Sequence, residues 1–285
     1  MPYTSIISPQ ALLNELESQN LRVVDCRFSL NDPTRGRKDF EKSHIPGAVY
    51  AHLNDDLSAP VVPGVTGRHP LPEIEAAARV FSSWGIDETK QVVVYDDASG
   101  AIAARLWWLL KWLGHDAVAV LDGGWPNWLK TEKLISSAKV QPEKTTFFPT
   151  PRPEMIAEIS LVENLRENEN RLLVDAREEA RFRGEVEPID PIAGHIPGAV
   201  CAPFSGNLDE NGFFKDKQEL RDRFQKLLGE RQAENAIVYC GSGVTACHNL
   251  LAMHHAELPG AKLYVGSWSE WITDQTRPVA FERHD

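Results

Sequence analysis

Short apolar runs rich in β-branched residues recur along the chain and alternate with segments of helical periodicity. In the first half these runs are LRVVD, AVYA, QVVVYD and AVAVLDGG, and in the second half LLVDA, AVCAP, AIVYC and KLYVG. Their length and composition are typical of strands that are buried on both faces of a sheet. Between them, SGAIAARLWWLLKWLG and GVTACHNLLAMHHAELPG carry apolar residues at helical spacing and end in or near glycine. The alternation predicts an α/β fold, with parallel sheets flanked by helices.

The two halves of the chain carry the same landmarks in the same order. The sequence HIPGAV at 44–49 returns unchanged at 195–200. Three further pairs match, namely RVVDC with RLLVDAR, VVVYD with AIVYC, and DGGWPNW with VGSWSEW. An internal repeat of this kind predicts a duplicated domain. We expect a first domain over 1–135 and a second over 156–285, joined by a linker at 136–155 that is rich in Pro, Lys and Thr.

Composition and charge exclude several classes of protein. With 285 residues, 42% of them apolar, the chain can bury a sizeable core, which excludes disordered and fibrous proteins. The 30 basic residues against 41 acidic ones give a net charge of −11, which argues against a nucleic-acid partner. No apolar stretch approaches the ~20 residues of a membrane span, and the N-terminus does not resemble a signal peptide.

The four cysteines are too few for a disulfide scaffold, and their spacing does not match a zinc site. We therefore expect a cytoplasmic protein with reduced thiols, no metal and no membrane association. One of those thiols is a candidate for chemistry.

The segment CGSGVTA at 240–246 carries that candidate chemistry, because it follows a predicted strand and opens a predicted helix. A thiol in that position lies beneath backbone N–H groups and beside a helix N-terminus, both of which stabilise negative charge. A cysteine in such an environment is expected to react as the thiolate. The glycines allow the loop to curl around a bulky anion. The alternatives are a buried structural cysteine and a phosphatase loop, although Ala246 stands where that loop needs arginine.

Both halves of the chain resemble the two-domain rhodanese-type sulfurtransferases. The resemblance is carried by the paired HIPGA segments together with ARLWW, LDGGWPNW, RFRGEVEP and SWSEW. It implies two tandem rhodanese-like domains. The loop CGSGVTA is similar to that of the 3-mercaptopyruvate sulfurtransferases, whereas thiosulfate sulfurtransferases usually carry one or two basic residues after the cysteine.

The resemblance also implies covalent sulfur transfer. Cys240 would attack the outer sulfur of a donor, become a persulfide, and pass that sulfur to a thiol or to cyanide. Covalent catalysis of this kind splits one difficult transfer into two easier steps. A thioredoxin-like protein is a candidate thiol acceptor, and no metal or organic cofactor is implied. The persulfide would lie against the loop residues Gly241, Ser242, Gly243, Val244 and Thr245.

Arg181, in RFRGEVEP, matches an arginine that holds the donor's carboxylate in the family, a task that suits its planar guanidinium. The alternative is a surface arginine paired with Glu178 or Glu185. Mercaptopyruvate-type relatives carry a second arginine later in this loop. Here the segment VEPIDPIAGHI has only Asp190 and no basic residue, which weakens the expected hold on the carboxylate.

Ser242 and His69 are the candidate proton relay. Relatives of the mercaptopyruvate type pair the loop serine with a histidine before an xLP sequence, which RHPLP matches here. The aspartate that completes the relay in the family would fall where this chain has His52, and Asp55 or Asp56 is a candidate replacement. The alternative for His69 is a polar loop histidine without a role in proton transfer.

The first domain is predicted to be catalytically silent. Asp96 occupies the position of Cys240, and a carboxylate cannot hold a transferable sulfur. The alternative is that Asp96 and Asp97 form a functional acid pair. In the second domain, Cys247 follows Cys240 by two helical turns and is either a second redox thiol or an inert core residue.

Two functional classes remain. The first is an enzyme, a sulfurtransferase that uses 3-mercaptopyruvate as donor, with thiosulfate as the alternative. The second is a non-catalytic binding module that keeps the fold. An intact Cys240 within a glycine-rich loop favours the enzyme, because a decayed module would usually lose the thiol, as the first half has.

Overall fold

The computed structural model describes residues 2–131, 134–167 and 170–282. The chain folds into two units. The first comprises Met1–Ala59, Leu71–Arg152 and Glu210–Phe214, and the second comprises Pro60–Pro70, Pro153–Asp209 and Lys215–Asp285. The short segment 60–70 therefore belongs to the second unit, although its neighbours in sequence belong to the first. Conversely, the segment 210–214 belongs to the first unit, although its neighbours belong to the second.

The first unit has a parallel sheet with helices between its strands, which confirms the α/β prediction. Its strands are β1 (Ile6–Ile7), β2 (Leu21–Asp25), β3 (Val49–Tyr50), β4 (Gln91–Tyr95) and β5 (Val118–Leu121). Its helices are α1 (Pro9–Glu15), α2 (Arg35–Lys42), α3 (Ile74–Ser83), α4 (Ala103–Trp112) and α5 (Gly124–Thr131). The strand order is β1-β5-β4-β2-β3, and each neighbouring pair is parallel. The central strands are rich in valine because both of their faces are covered.

The second unit repeats this architecture with the strand order β7-β6-β8-β9, again parallel throughout. Its strands are β6 (Leu172–Asp175), β7 (Ala199–Cys201), β8 (Ala236–Tyr239) and β9 (Lys262–Leu263). Its helices are α6 (Ile159–Glu163), α7 (Glu179–Arg183), α8 (Lys217–Leu228), α9 (Ala246–His255) and α10 (Ser267–Trp271). Single 3₁₀ turns cover Pro153–Met155, Asn164–Glu167, Phe204–Asn207 and Ala233–Asn235.

Each unit has one helix that is buried almost throughout. Every residue of α4 is buried, and α9 is buried from its first residue through Met253. A helix that is apolar on all sides belongs inside a fold. Both helices start just after the loop that follows the central strand, so each directs its N-terminus at that loop. In the described part of the chain, no helix is long and apolar enough to cross a membrane.

A buried ion pair occurs at the same place in both units. Arg27 binds Asp25 at the end of β2 with a closest distance of 2.6 Å, and Arg177 binds Asp175 at the end of β6 with the same closest distance. Both pairs are bidentate, which gives the geometry that a buried ion pair requires. The internal repeat of the sequence therefore extends to the buried ion pairs of the two units.

The segment 136–152 runs along the first unit in an irregular, extended conformation. Ser136 and His44 exchange backbone hydrogen bonds of 2.8 and 2.9 Å, and the side chain of Phe147 is buried. The segment that is rich in Pro, Lys and Thr, and that we predict to be a linker, thus packs with the first unit as far as Arg152.

Candidate active site

Cys240 is the first residue after β8 and therefore lies at the carboxyl end of a central strand. Its backbone is fixed on both sides by the start of α10. The Cys240 N–H donates to Oγ of Ser267 at 3.1 Å, and its carbonyl oxygen accepts from the N–H of Trp268 at 3.0 Å. Only 2% of the residue is exposed. The thiol is consequently held in place in a site that largely excludes water.

The loop after Cys240 has backbone N–H groups that are available to an anion. Among the residues that the structure describes, the N–H groups of Gly241, Ser242, Val244 and Thr245 have no hydrogen-bond acceptor. Gly243 has a φ of 75°, and a side-chain carbon there would lie 2.3 Å from a backbone carbonyl oxygen, so only glycine fits. Helix α9 begins directly after this loop and adds the positive end of its dipole.

The corresponding loop of the first unit already contains an anion. Asp96 follows β4 as Cys240 follows β8, and its carboxylate is fully buried. One oxygen accepts the N–H groups of Ala98 and Gly100 at 2.8 Å. The other accepts those of Ile102 and Ala103 at 2.7 and 2.8 Å. This fold thus places an anion-binding loop after its central strand, and in the first unit a side chain occupies it.

The ionisation of Asp96 follows from these partners. Burial raises the pKa of the Asp96 carboxyl above its ordinary value, although the four backbone N–H groups act in the opposite direction. Because all four partners are donors, a carboxyl proton would find no acceptor among them. The loop is thus suited to the ionised form. This arrangement argues against a functional acid pair, since Asp97 instead forms an ion pair with Arg35.

The structure brings Ser242 and His69 together. Nδ1 of His69 lies 2.7 Å from Oγ of Ser242, and the two residues are only 4% and 6% exposed. The segment that carries the histidine belongs to the second unit, where the N–H of Arg68 donates to Oγ of Ser269 at 3.0 Å. A hydroxyl and an imidazole in hydrogen-bond contact beside the thiol can deliver a proton to a leaving group.

Arg181 lies on α7 with its guanidinium held by two carboxylates. Its Nη2 donates to Oε1 of Glu187 at 2.7 Å and to Oδ2 of Asp190 at 3.2 Å. Its Nε donates to Oε2 of Glu187 at 3.1 Å. The partners of Arg181 are therefore Glu187 and Asp190 rather than Glu178 or Glu185, and the side chain is 16% exposed.

The structure adds a residue that the sequence analysis does not single out. Arg68 forms an ion pair with Asp190. A side-chain carbon on Gly241 would lie 2.9 Å from Nη2 of Arg68 and 3.6 Å from both terminal nitrogens of Arg181. Two guanidinium groups thus converge on Gly241. The signal in the sequence was the place of this arginine directly before His69 in RHPLP.

Arg68 is also coupled to the thiol by charge. Burial lowers the pKa of the Arg68 guanidinium, negative charge on Cys240 raises it, and the positive charge of Arg181 lowers it. An arginine remains protonated in proteins under all of these influences. Arg68 therefore remains a cation beside Cys240.

His52, Asp55 and Asp56 lie in the first unit, where they bond to one another. The N–H of His52 donates to Oδ2 of Asp56 at 2.7 Å, and the N–H of Asp55 donates to Nδ1 of His52 at 3.2 Å. Nε2 of His52 lies 3.0 Å from the carbonyl oxygen of Pro33. Burial raises the pKa of Asp56. Both ring nitrogens of His52 are therefore engaged by neighbours in the same unit.

The other three cysteines have environments that differ from that of Cys240, although all four are free. Burial raises the pKa of Cys26 well above its ordinary value and that of Cys201 to about 12, so both remain thiols. Cys247 is fully buried in α9, where its Sγ donates to the carbonyl oxygen of Gly243 at 3.3 Å. Within the described residues, no group of three or more metal-ligating side chains comes together.

Comparison with known proteins adds independent findings. The sequence model of the rhodanese-like domain matches residues 8–131 and again residues 158–274. A probable 3-mercaptopyruvate sulfurtransferase of Pseudomonas aeruginosa is 47% identical over 281 residues, covering 98% of this chain and 99% of its own. The thiosulfate sulfurtransferase of Rattus norvegicus is 32% identical over 281 residues, covering 95% of this chain and 92% of its own. The solved 3-mercaptopyruvate sulfurtransferase from Leishmania major superposes with a TM-score of 0.81 at 29% identity, covering 94% of this chain and 74% of that one.

Proposed function

Because the chain belongs to the family of rhodanese-like domain proteins, we propose that it is a sulfurtransferase with 3-mercaptopyruvate as its donor. A sulfane sulfur moves from that donor through a persulfide on Cys240 to a thiol or to cyanide. The loop after the central strand of the first unit does not carry the sulfur in this reaction, because Asp96 stands at the position of the nucleophile.

One observation carries this proposal. A loop with inward backbone N–H groups follows the central strand of each unit. The Asp96 carboxylate accepts four of them in the first unit, whereas among the described residues no side-chain carboxylate accepts those after Cys240 in the second. A loop built to hold negative charge, with a thiol beneath it, suits a thiolate that becomes a persulfide anion. The backbone N–H groups of Gly241, Ser242, Val244 and Thr245 hold this charge, and Gly243 supplies the turn between them.

The geometry is compatible with a two-step reaction. The Cys240 thiolate attacks the sulfur of 3-mercaptopyruvate, the carbon–sulfur bond breaks, and its electron pair passes to the departing pyruvate enolate. A proton from Ser242, replenished through His69, converts that enolate to pyruvate. An acceptor thiolate or cyanide then attacks the outer sulfur of the persulfide. The sulfur–sulfur bond breaks, and its electron pair returns to Cys240 as the thiolate.

Thiosulfate is the second candidate donor. It would react in the same way, with the outer sulfur bound by Cys240 and sulfite leaving with the electron pair. The observation that favours it is the pair of guanidinium groups of Arg68 and Arg181 beside Gly241, since a compact dianion is bound well by cations.

We also propose a physiological acceptor and a cellular compartment. A thioredoxin-like protein suits the second step, because it presents a reactive thiolate that can attack a persulfide. We propose the cytoplasm as the compartment, since Cys240 must remain a reduced thiol between turnovers and all four cysteines are free.

The proposal is tested by mass spectrometry of the protein after incubation with 3-mercaptopyruvate. We expect the peptide that contains Cys240 to gain about 32 Da, the mass of one sulfur, and to lose it again on addition of cyanide. Initial rates with 3-mercaptopyruvate and thiosulfate on the same preparation then identify the preferred donor. Loading of Cys26, Cys201 or Cys247 to the same extent would contradict the assignment of the nucleophile.

Ser242→Ala should lower kcat with 3-mercaptopyruvate by about 10²-fold, which is the usual size of a lost general acid. The reason is that the pyruvate enolate needs a proton, whereas sulfite departs from thiosulfate as a stable anion. We therefore expect the rate with thiosulfate to change by only a few-fold. Rates with both donors on one preparation serve as mutual controls, and an equal loss with both would exclude this role for Ser242.

A further inference from the structure

Asp190 lies between the two guanidinium groups that converge on the catalytic loop. Its Oδ1 pairs with Nη1 of Arg68, and its Oδ2 lies 3.2 Å from Nη2 of Arg181. Only 3% of the Asp190 side chain is exposed. Its backbone N–H donates to Oε1 of Glu187 at 3.0 Å, which fixes the carboxylate in this position. The two arginines are thus held together by a buried negative charge.

The charges of the side chains that follow Arg181 in this network of ion pairs are balanced as well. Glu187 binds Arg181 at 2.7 Å and contacts Arg177 at 3.4 Å, and its side chain is 4% exposed. Arg177 in turn forms the bidentate pair with Asp175. Together with Arg68 and Asp190, this cluster contains three arginines and three carboxylates. Its formal charge is zero, even though two of its guanidinium groups face Gly241.

Charge balance has a consequence for the two candidate donors. A donor with one negative charge brings the cluster to a net charge of −1, whereas a dianion brings it to −2 beside carboxylates that are only 3–4% exposed. Electrostatic energies are larger in such a site than in bulk solvent. The guanidinium groups still offer directed hydrogen bonds to a carboxylate, so a monoanion retains its specific contacts.

On the basis of the proposed function, we propose that Asp190 is a specificity-determining residue. By neutralising the guanidinium pair of Arg68 and Arg181, it makes the site select a monocarboxylate donor such as 3-mercaptopyruvate over a compact dianion such as thiosulfate. Arg68 supplies the second positively charged side chain, because the loop 184–194 contains no basic residue. Asp190 acts through these arginines and is a positioning residue, not a catalytic one.

Asp190→Asn tests this inference, because the amide keeps the size of the side chain and removes its charge. The quantity to measure is the ratio of kcat/KM for thiosulfate to kcat/KM for 3-mercaptopyruvate, with cyanide as the common acceptor. We expect this ratio to rise about tenfold, since the removed charge acts on one more unit of negative charge in thiosulfate. A loss of structure alone would lower both rates and leave the ratio unchanged.

Arg68→Gln provides the opposite change, and we expect it to lower the same ratio. The double variant Arg68→Gln with Asp190→Asn restores the formal charge to zero, so its ratio should return to within about threefold of the wild-type value. Glu185→Gln is the matched control, because it removes a carboxylate from the same segment. The side chain of Glu185 is 44% exposed and lies 3.8 Å from Nη1 of Arg183. The ratio in this variant should stay within twofold of wild type.

The two proposals fail in distinguishable ways. If neither donor loads sulfur onto Cys240 of the wild-type protein, the proposed function is wrong. If the wild type is loaded but the ratio does not rise in Asp190→Asn, only the role of Asp190 is wrong. Should Asp190→Asn not fold, as judged by circular dichroism, an unchanged ratio in Arg68→Gln alone would overturn the inference.

Discussion

Cys240→Ser should abolish sulfur transfer, with a loss of more than ~10³-fold for either donor. A serine hydroxyl is not ionised at neutral pH, and its oxygen cannot carry a sulfane sulfur through to the acceptor. The fold should be unaffected, because the contacts of Cys240 to Ser267 and Trp268 are made by its backbone. Initial rates with cyanide as acceptor, together with thermal unfolding of both proteins, measure the two effects separately.

Cys247→Ser is the matched control for this substitution. It makes the same chemical change two helical turns later, in a fully buried side chain whose hydroxyl can still donate to the carbonyl oxygen of Gly243. We expect its sulfur transfer to remain within a few-fold of wild type. A loss comparable to that of Cys240→Ser would assign Cys247 a redox role in the reaction.

Asp96→Ala should have the largest effect on stability. Four backbone N–H groups would lose their acceptor. The bonds from Gly100 and Ala103 are buried, and each buried orphaned group costs ~1–3 kcal/mol. The free energy of unfolding of the first unit should therefore fall by about 2–6 kcal/mol, which is a large part of the ~5–15 kcal/mol that stabilises a domain. Denaturant unfolding should show an early transition in the variant. Transfer per folded molecule should stay within a few-fold of wild type.

Asp97→Asn is the control for this prediction. It shows whether a loss of stability comes from the four N–H groups that bind Asp96 or from the removal of any carboxylate in this loop. Asp97 forms one ion pair with Arg35, whose side chain is 48% exposed, so its loss should change the stability by less than about 1 kcal/mol. Equal stability changes in the two variants would mean that the loop does not depend on a bound anion. A rate loss in Asp96→Ala as large as that of Cys240→Ser would show that the first repeat takes part in catalysis.

The repeat and its strands were predictable because burial on both faces leaves continuous apolar runs in the sequence. β1 was missed, since its two paired residues, Ile6 and Ile7, are too few to form a pattern. Cys240 can be proposed as the nucleophile from the sequence because the proposal depends on local features, namely a strand end, glycines and a helix start. These features are adjacent in sequence, and so their arrangement in space follows from local rules.

The guanidinium pair was not predictable from the same reasoning. Arg68 precedes the first repeat's α3 in sequence, yet the segment 60–70 folds with the second unit. In the proposed site, Arg68 takes the place of the second arginine that the 184–194 loop lacks, and it reaches that loop through a long-range ion pair with Asp190. The acceptor role of Asp96 was missed for a related reason, because the sequence shows a carboxylate but not the four N–H groups that bind it.

The assignment of residues 60–70 to the second unit also bears on how such a duplicated gene can change. A fragment starting at Pro153 would retain the thiol, its loop and Arg181, yet it would lose both Arg68 and His69. The half of the sequence that carries Asp96 in place of a nucleophile therefore also encodes two side chains of the proposed active site. We expect deletion of this half to remove sulfur transfer, so the activity can be inherited only if both halves of the sequence are kept together.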